Sequence, residues 1–239
     1  MKLDVLAIGA HPDDIELACG GTVAKLVDKG RKVAILDLTQ GELGTRGSKE
    51  IRQKEAANAG KVLGIEFREN LELPDGNIEI TMENRLKLMS VIRKYRPDIL
   101  LIPHDNERHP DHEHAHTLAR EAWFYSGLEK ITTYDKGKFQ EPFRPKKFFY
   151  YMQKFGFIPS FIVDISEQID VRMNAVRAFR SQFHDPNSRE RDTILSRPEF
   201  LEIIETRLRF YGSQIGVRYG EPFFSVEPIG LDDLHSMIL

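Results

Sequence analysis

Two short clusters of histidine and aspartate, about a hundred residues apart, hold the side chains of this sequence best suited to chemistry. The first is His11-Pro12-Asp13-Asp14 and the second is His109-Pro110-Asp111-His112. Together they offer imidazole nitrogens, a carboxylate oxygen and spare carboxylates for proton transfer. A metal-dependent hydrolase requires this set of groups.

The first cluster can place His11 and Asp14, three residues apart, around one point on a turn that opens a helix. Asp13 lies between them and can reach a water molecule at that point. The structural alternative is that Asp13 or Asp14 only caps the helix. That alternative explains one aspartate, but it leaves His11 and the second cluster unexplained.

In the second cluster, His109 or His112 can complete a metal shell while the other histidine stays free for catalysis. Five of the eight histidines fall between His104 and His116, so adventitious metal binding by a histidine-rich surface is the alternative. It does not account for the first cluster. We expect His114 and His116 to lie on the solvated side of the following helix.

Two imidazoles and one carboxylate with an open position fit catalytic zinc, and they also fit non-haem iron. Iron oxygenases with this set generally use a β-sandwich, whereas the pattern here is α/β. Zinc is therefore the expected metal, with Fe²⁺ or Co²⁺ as alternatives. Cys19, the one cysteine, is expected to be a small packed residue rather than a fourth ligand.

Apolar strands alternate with helical periodicity, which predicts an α/β, Rossmann-like, mostly parallel sheet with helices on both faces. The first half predicts strands at 3–8, 32–38, 67–71 and 99–102, and helices at 18–29, 49–63, 82–95 and 113–125. The second half predicts strands at 148–152 and 161–165, helices at 167–183 and 199–211, and a loop at 212–222. No linker divides the chain, so residues 1–239 are predicted to form a single domain.

Each cluster follows the carboxyl end of a predicted strand. Ligand sites in parallel sheets lie outside those ends. We therefore expect the two clusters to form one site.

Composition bounds the remaining possibilities. The net charge of −3 argues against a dedicated nucleic-acid binder. No apolar run reaches membrane-spanning length and no apolar leader is evident, so a soluble cytoplasmic protein is expected.

Several motifs together resemble the LmbE/PIG-L zinc deacetylases, which remove acetyl groups from N-acetylglucosamine-containing molecules. The motifs are the two clusters, Gly20-Gly21-Thr22, the segment Gly41-Glu42-Leu43-Gly44-Thr45-Arg46-Gly47, Ser181-Gln182 and Tyr219-Gly220-Glu221-Pro222-Phe223. The resemblance covers essentially the whole chain.

The resemblance implies a role for each matching position. His11, Asp14 and His112 would bind zinc, and Asp13 would be the general base. His109 would stabilise the oxyanion, and Asp111 would hold the ring of His109.

Within the family, the sequence is most similar to the bacillithiol-pathway enzymes that deacetylate N-acetylglucosaminyl-L-malate, which are generally homo-oligomers and often hexamers. Arg46, Arg52 and Arg108 flank the predicted site and are candidate ligands of an anionic substrate. For any single arginine, solvation of a loop is the simpler explanation. The alternatives are a deacetylase of other N-acetyl sugars such as chitooligosaccharides, and a non-catalytic sugar-binding module.

Overall fold

The computed structural model describes residues 1–233, 235 and 237, and this part of the chain alternates strands with helices. The elements are β1 (Val5–Gly9), α1 (Asp14–Asp28), β2 (Val33–Thr39), α2 (Lys49–Leu63), β3 (Arg68–Leu73), α3 (Met82–Tyr95), β4 (Ile99–Pro103), α4 (Pro110–Tyr125), β5 (Tyr134–Asp135), β6 (Lys138–Phe139), β7 (Lys147–Tyr151), β8 (Phe161–Asp164), α5 (Ile169–Arg177), α6 (Phe200–Gln214) and β9 (Gly220–Phe224).

Seven strands form one sheet in the order β3-β2-β1-β4-β7-β9-β8. The first five of these run parallel, and β9 pairs antiparallel with both β7 and β8. β5 and β6 form a separate hairpin. The predicted α/β fold with a mostly parallel sheet is confirmed.

Helices cover both faces of the sheet because the side chains of each strand alternate between two apolar clusters. In β1, Leu6 and Ile8 pack in the cluster that includes α3 and α4. Val5 and Ala7 pack in the cluster that includes α1 and α5. Both faces of β1 are therefore buried, as its continuous apolar sequence indicates.

Capping residues mark both ends of α2 and the start of α3. The side chains of Ser48 and Thr81 accept hydrogen bonds from backbone N–H groups in the first turns of α2 and α3. Gly64, at φ 70°, ends α2. The predicted bounds 49–63 and 82–95 are confirmed.

Other boundaries differ from the prediction. The predicted loop 212–222 contains the start of β9, and the predicted helix 167–183 ends at Arg177. Gly220 and Pro222 favoured the predicted loop, but Pro222 pairs with Ile162 in the antiparallel ladder between β8 and β9. Helices α1 and α4 begin several residues earlier than predicted, at Asp14 and Pro110.

Helix α1 is kinked at Cys19, whose φ of −140° is not helical. In a regular helix the Leu17 carbonyl would accept from the Gly21 N–H. Here the Gly21 N–H donates to Glu221 instead (2.9 Å), and the Leu17 carbonyl accepts from Arg172 (2.7 Å). Cys19 is wholly buried in the core, as expected of a packed residue.

Within the described part of the chain, no helix combines the length and the apolar character needed to cross a membrane.

Candidate active site

The two His–Asp clusters meet at the carboxyl ends of the neighbouring strands β1 and β4, where the order in which strands are added to the sheet changes direction. The chain builds β1, β2 and β3 outward on one side, then returns to place β4 beside β1 on the other. Such a switch point opens a crevice at the carboxyl ends of the two strands. His11 follows β1 closely, and His109 lies in the loop between β4 and α4. The predicted single site is thus formed, with the His11 and His109 ring centroids 4.8 Å apart.

Asp14 is the first residue of α1 and connects the two clusters. Its Oδ2 accepts a hydrogen bond from the His11 backbone N–H (2.9 Å), and its Oδ1 lies 3.2 Å from His112 Nε2. Gln153 also donates to Oδ1 (2.6 Å). Burial alone would raise the pKa of Asp14, but the adjacent His112 and His11 outweigh it and lower the pKa below its usual range.

His11 faces two further carboxylates. Its Nε2 lies 3.2 Å from Asp111 Oδ2 and 3.1 Å from Asp75 Oδ1. Burial disfavours the charged imidazole, but the hydrogen bonds to Asp111 and Asp75 and the charge of Asp14 raise the pKa of His11 to about 10. The carboxylates of Asp14, Asp75 and Asp111 therefore surround the His11 imidazole.

Asp111 occupies a different position from the one implied by the family resemblance. Its carboxylate contacts His11 and accepts hydrogen bonds from the backbone N–H groups of Gly76 (2.7 Å) and Ile78 (3.4 Å). Its hydrogen bond with His109 runs instead from the Asp111 backbone N–H to His109 Nδ1 (3.2 Å). The Asp111 side chain thus orients His11 and the loop before α3, not the ring of His109.

The donor atoms fit a divalent metal ion. Two overlapping groups, His11 with Asp14 and His112, and His11 with His109 and Asp111, each place one ligand atom per residue within 4.8 Å of the others. Mixed imidazole and carboxylate ligands suit zinc and other first-row metals. In addition, His112 Nδ1 is buried without a hydrogen-bond partner among the described residues. The first group is the ligand set implied by the family resemblance.

Asp13 has a strained backbone, with φ 111° and ψ −21° at the start of α1. The Asp13 side chain makes no capping hydrogen bond to the backbone of α1, so helix capping does not explain why an aspartate is present at this position. Burial raises the pKa of Asp13 to about 7, although the charge of Arg52 opposes the shift. A strained residue with a buried carboxylate beside a candidate metal-binding group is typical of catalytic positions.

The three candidate substrate arginines lie in different surroundings. Arg52 is buried and donates to the carbonyls of Pro12 (2.5 Å) and Gly41 (3.1 Å), and its Nη2 lies 3.3 Å from Asp13. Arg46 is also buried, with its Nε 3.6 Å from Glu190 Oε2. Arg108 is exposed. Arg52 and Arg108 line the active-site cavity, whereas Arg46 is outside its lining.

The Ser181-Gln182 motif, which had no assigned role, supports the segment that carries Arg46. Gln182 donates to the Arg46 carbonyl (2.8 Å), and Ser181 bonds to Glu55 through both its N–H and its hydroxyl (2.7 Å each). Ser181 also lies against Gly47, whose φ is +73°. These contacts fix the Gly-rich segment above the site.

Sequence reasoning missed Asp75 and Gln153, which contact His11 and Asp14. Asp75 lies in the Pro-Asp-Gly turn after β3, and Gln153 follows β7. Both therefore leave carboxyl ends of parallel strands, and the rule that located the two clusters also applies to them. The expectation for His116 was wrong, because it is buried with its Nδ1 3.0 Å from the Pro103 carbonyl. His114 is exposed as expected.

Comparison with known proteins identifies the family. The model of the PIG-L family, GlcNAc-PI de-N-acetylase, matches residues 6–123. A diacetylchitobiose deacetylase of Thermococcus kodakarensis is 34% identical over 91% of this chain and 80% of its own length. The chain belongs to the PIG-L family.

This PIG-L protein is similar along its whole length to the conserved protein TT1542 from Thermus thermophilus, whose crystal structure is known. The identity is 40% and the TM-score 0.87, over 97% of this chain and 98% of that one. A probable N-acetyl-alpha-D-glucosaminyl L-malate deacetylase 2 of Bacillus cereus is 30% identical over 47% of this chain and 57% of its own length. The similarity to the malate-conjugate enzyme therefore covers less of the chain than the similarity to the chitobiose enzyme.

Proposed function

We propose that this PIG-L protein is a metal-dependent hydrolase that removes the acetyl group from an N-acetylglucosamine unit of a small glucosaminide. The observation that carries the proposal is the convergence of His11, Asp14 and His112, with the buried carboxylate of Asp13 beside them. All four residues line a cavity of about 540 Å³. This volume lies within the usual range for small-molecule sites.

His11, Asp14 and His112 would hold the metal, for which Zn²⁺ is the first candidate and Fe²⁺ or Co²⁺ are alternatives. When bound, such a metal polarises a carbonyl oxygen and lowers the pKa of a coordinated water. Hydrogen bonds from the His11 backbone N–H and from Gln153 hold the Asp14 carboxylate in place. This support would fix Asp14 toward the metal.

Asp13 would accept the proton of the attacking water. A general base works best when its pKa is near the working pH, and burial raises the pKa of Asp13 to about 7. Arg52, at 3.3 Å, keeps the carboxylate in a fixed position. After attack, the same carboxyl group can deliver the proton to the departing amine.

His109 would donate a hydrogen bond to the oxyanion that forms on the acetyl carbonyl. It lines the cavity, and its ring centroid is 5.3 Å from that of His112. A donor aimed at a developing oxyanion lowers the barrier by about 3 kcal/mol in comparable sites. Asp111 would act indirectly, by orienting His11.

The acetylated sugar has two specific candidates. Diacetylchitobiose is favoured by the Thermococcus kodakarensis relative, whose similarity covers 91% of this chain. N-acetylglucosaminyl-L-malate, the substrate expected from the sequence, has weaker support because Arg52 is occupied by backbone carbonyls and Asp13. Arg108, which is exposed and lines the cavity, is the arginine left to meet a malate carboxylate.

The test is amine release by metal-stripped protein, with and without one equivalent of Zn²⁺, Fe²⁺ or Co²⁺. Diacetylchitobiose, the malate conjugate and free N-acetylglucosamine would be compared as substrates. Metal-restored release from any of them supports the reaction, and the preferred sugar identifies the substrate. If sugars bind but none is hydrolysed with any metal, the non-catalytic sugar-binding alternative is favoured.

A further inference from the structure

One side of the active-site cavity is apolar and has no part in the deacetylation chemistry. Apart from the His–Asp clusters, the lining includes apolar side chains from α1, the segment before α6, and α6 itself. We call these residues the apolar wall: Leu17, Ile194, Leu195, Phe200, Ile203 and Ile204.

The packing of α6 accounts for part of the apolar wall but leaves Ile203 and Ile194 accessible to water. This helix buries Ile204 and Leu208 in a cluster with Ile165 and Tyr219. Ile203 is on the cavity side and remains 58% exposed, and Ile194 is 36% exposed. Apolar side chains that line a cavity and stay accessible to water indicate a ligand surface.

The arginine beside the wall does not indicate an anionic ligand. Arg207 donates to the carbonyls of Gln153 and Leu17, so backbone oxygens already occupy both its terminal nitrogens. The part of the ligand against the wall is therefore expected to be neutral and apolar.

We propose that the apolar wall binds an aryl or alkyl aglycone attached to the N-acetylglucosamine unit. This inference rests on the proposed function. An acetyl group has a single methyl carbon, too little apolar surface to cover both Ile194 and Ile203, which are the most accessible side chains of the wall, and the sugar ring itself carries hydroxyl groups. The aglycone is the remaining part of such a substrate, and contact with the wall would remove its apolar surface from water.

The experiment compares kcat/KM for the phenyl and methyl glycosides of N-acetylglucosamine, as the same anomer, with the metal-loaded protein. The expected preference for the phenyl glycoside is about tenfold, a typical discrimination by a hydrophobic pocket. Ile203→Ser should reduce the preference to about twofold, chiefly by lowering kcat/KM for the phenyl glycoside. Phe210→Ser is the matched control, because Phe210 is also on α6 and 58% exposed but does not line the cavity.

Equal kcat/KM for the two glycosides, or a preference that Ile203→Ser does not change, would overturn the proposal. The acyl group is tested by comparing kcat/KM for N-butanoylglucosamine with that for N-acetylglucosamine. A higher value for the butanoyl compound would mean that the wall contacts the acyl group, and it would also overturn the proposal. A change of oligomeric mass in Ile203→Ser with the preference intact would make the wall a subunit interface instead.

Failure of the proposed function would be recognised separately. If neither glycoside is hydrolysed, calorimetry with the phenyl and methyl glycosides still tests the wall. Tighter binding of the phenyl glycoside that Ile203→Ser abolishes supports the wall without catalysis, and equal binding contradicts it.

Discussion

Arg172 and Glu221 form an ion pair in which both side chains are fully buried, with Arg172 Nε 2.8 Å from Glu221 Oε1. The same carboxylate accepts hydrogen bonds from the backbone N–H groups of Gly21 (2.9 Å) and Thr22 (2.6 Å). The pair therefore joins β9 and α5 to the kink of α1. Because α1 begins at Asp14, this contact also supports the helix that carries the candidate metal ligand.

Arg172→Met should destabilise the protein by about 3–5 kcal/mol, because it leaves the Glu221 carboxylate buried without its cation. Urea unfolding measures the loss. The double variant Arg172→Met/Glu221→Gln should lose less than the sum of the two single variants, since it removes both charges. Strictly additive losses would show that the pair makes no coupled contribution.

Gly47→Ala should destabilise the protein more than Gly137→Ala. Both glycines have positive φ, +73° and +78°, so both substitutions incur a similar backbone penalty of about 1 kcal/mol. At position 47 the added Cβ would also lie 2.6 Å from the Ser181 hydroxyl, whereas at position 137 it meets no described atom within 4 Å. Equal losses in urea unfolding would contradict the tight packing of Ser181 on the Gly-rich segment.

Asp13→Asn should reduce deacetylation by about 10²–10⁴-fold while the protein keeps its metal, because the amide cannot accept the proton of water. Asparagine tolerates positive φ, so the backbone at this position should be preserved. Metal content by plasma emission spectroscopy and amine release are the two measurements. Wild-type turnover in this variant would remove Asp13 from the role of general base.

Chelation of the metal should lower the thermal midpoint, and re-addition of Zn²⁺ should restore it. A ligand present at a hundredfold excess over its Kd stabilises the native state by about 2.7 kcal/mol. His112→Ala should abolish the restoration. His114→Ala is the control, because His114 is exposed on the same helix and belongs to neither group of candidate ligands. A shift that survives in His112→Ala would place the metal elsewhere.

The sequence predicted the elements that local signals define. Helices α2 and α3 were predicted with their observed bounds from their helical periodicity, and the structure shows that Ser48 and Thr81 cap their starts and Gly64 ends α2. Strand β9 was missed because Gly220 and Pro222 are typical of a loop, and its pairing with β7 and β8 is set by residues far away in the chain. Such non-local pairing can override local preference.

The distinction between local signals and non-local contacts also applies to the candidate active site. The two clusters were found because their residue types are rare together and follow predicted strands. The partners of Arg52 and Asp111 were not predictable, because they include the carbonyls of Pro12 and Gly41 and the N–H of Gly76, which are backbone groups. Contacts of this kind depend on loop conformation, which side-chain spacing alone does not define.

The backbone angle at position 13 limits which amino acids evolution can place there. A left-handed conformation strongly disfavours β-branched and bulky residues, and among residues with side chains it is adopted most readily by asparagine and aspartate. If the reaction also demands a carboxylate, the two requirements leave aspartate as the favoured residue. A longer acid such as glutamate would place its carboxylate one carbon farther from the backbone and would fit the turn less well. Helix geometry and the proposed proton transfer would thus select the same residue for independent reasons.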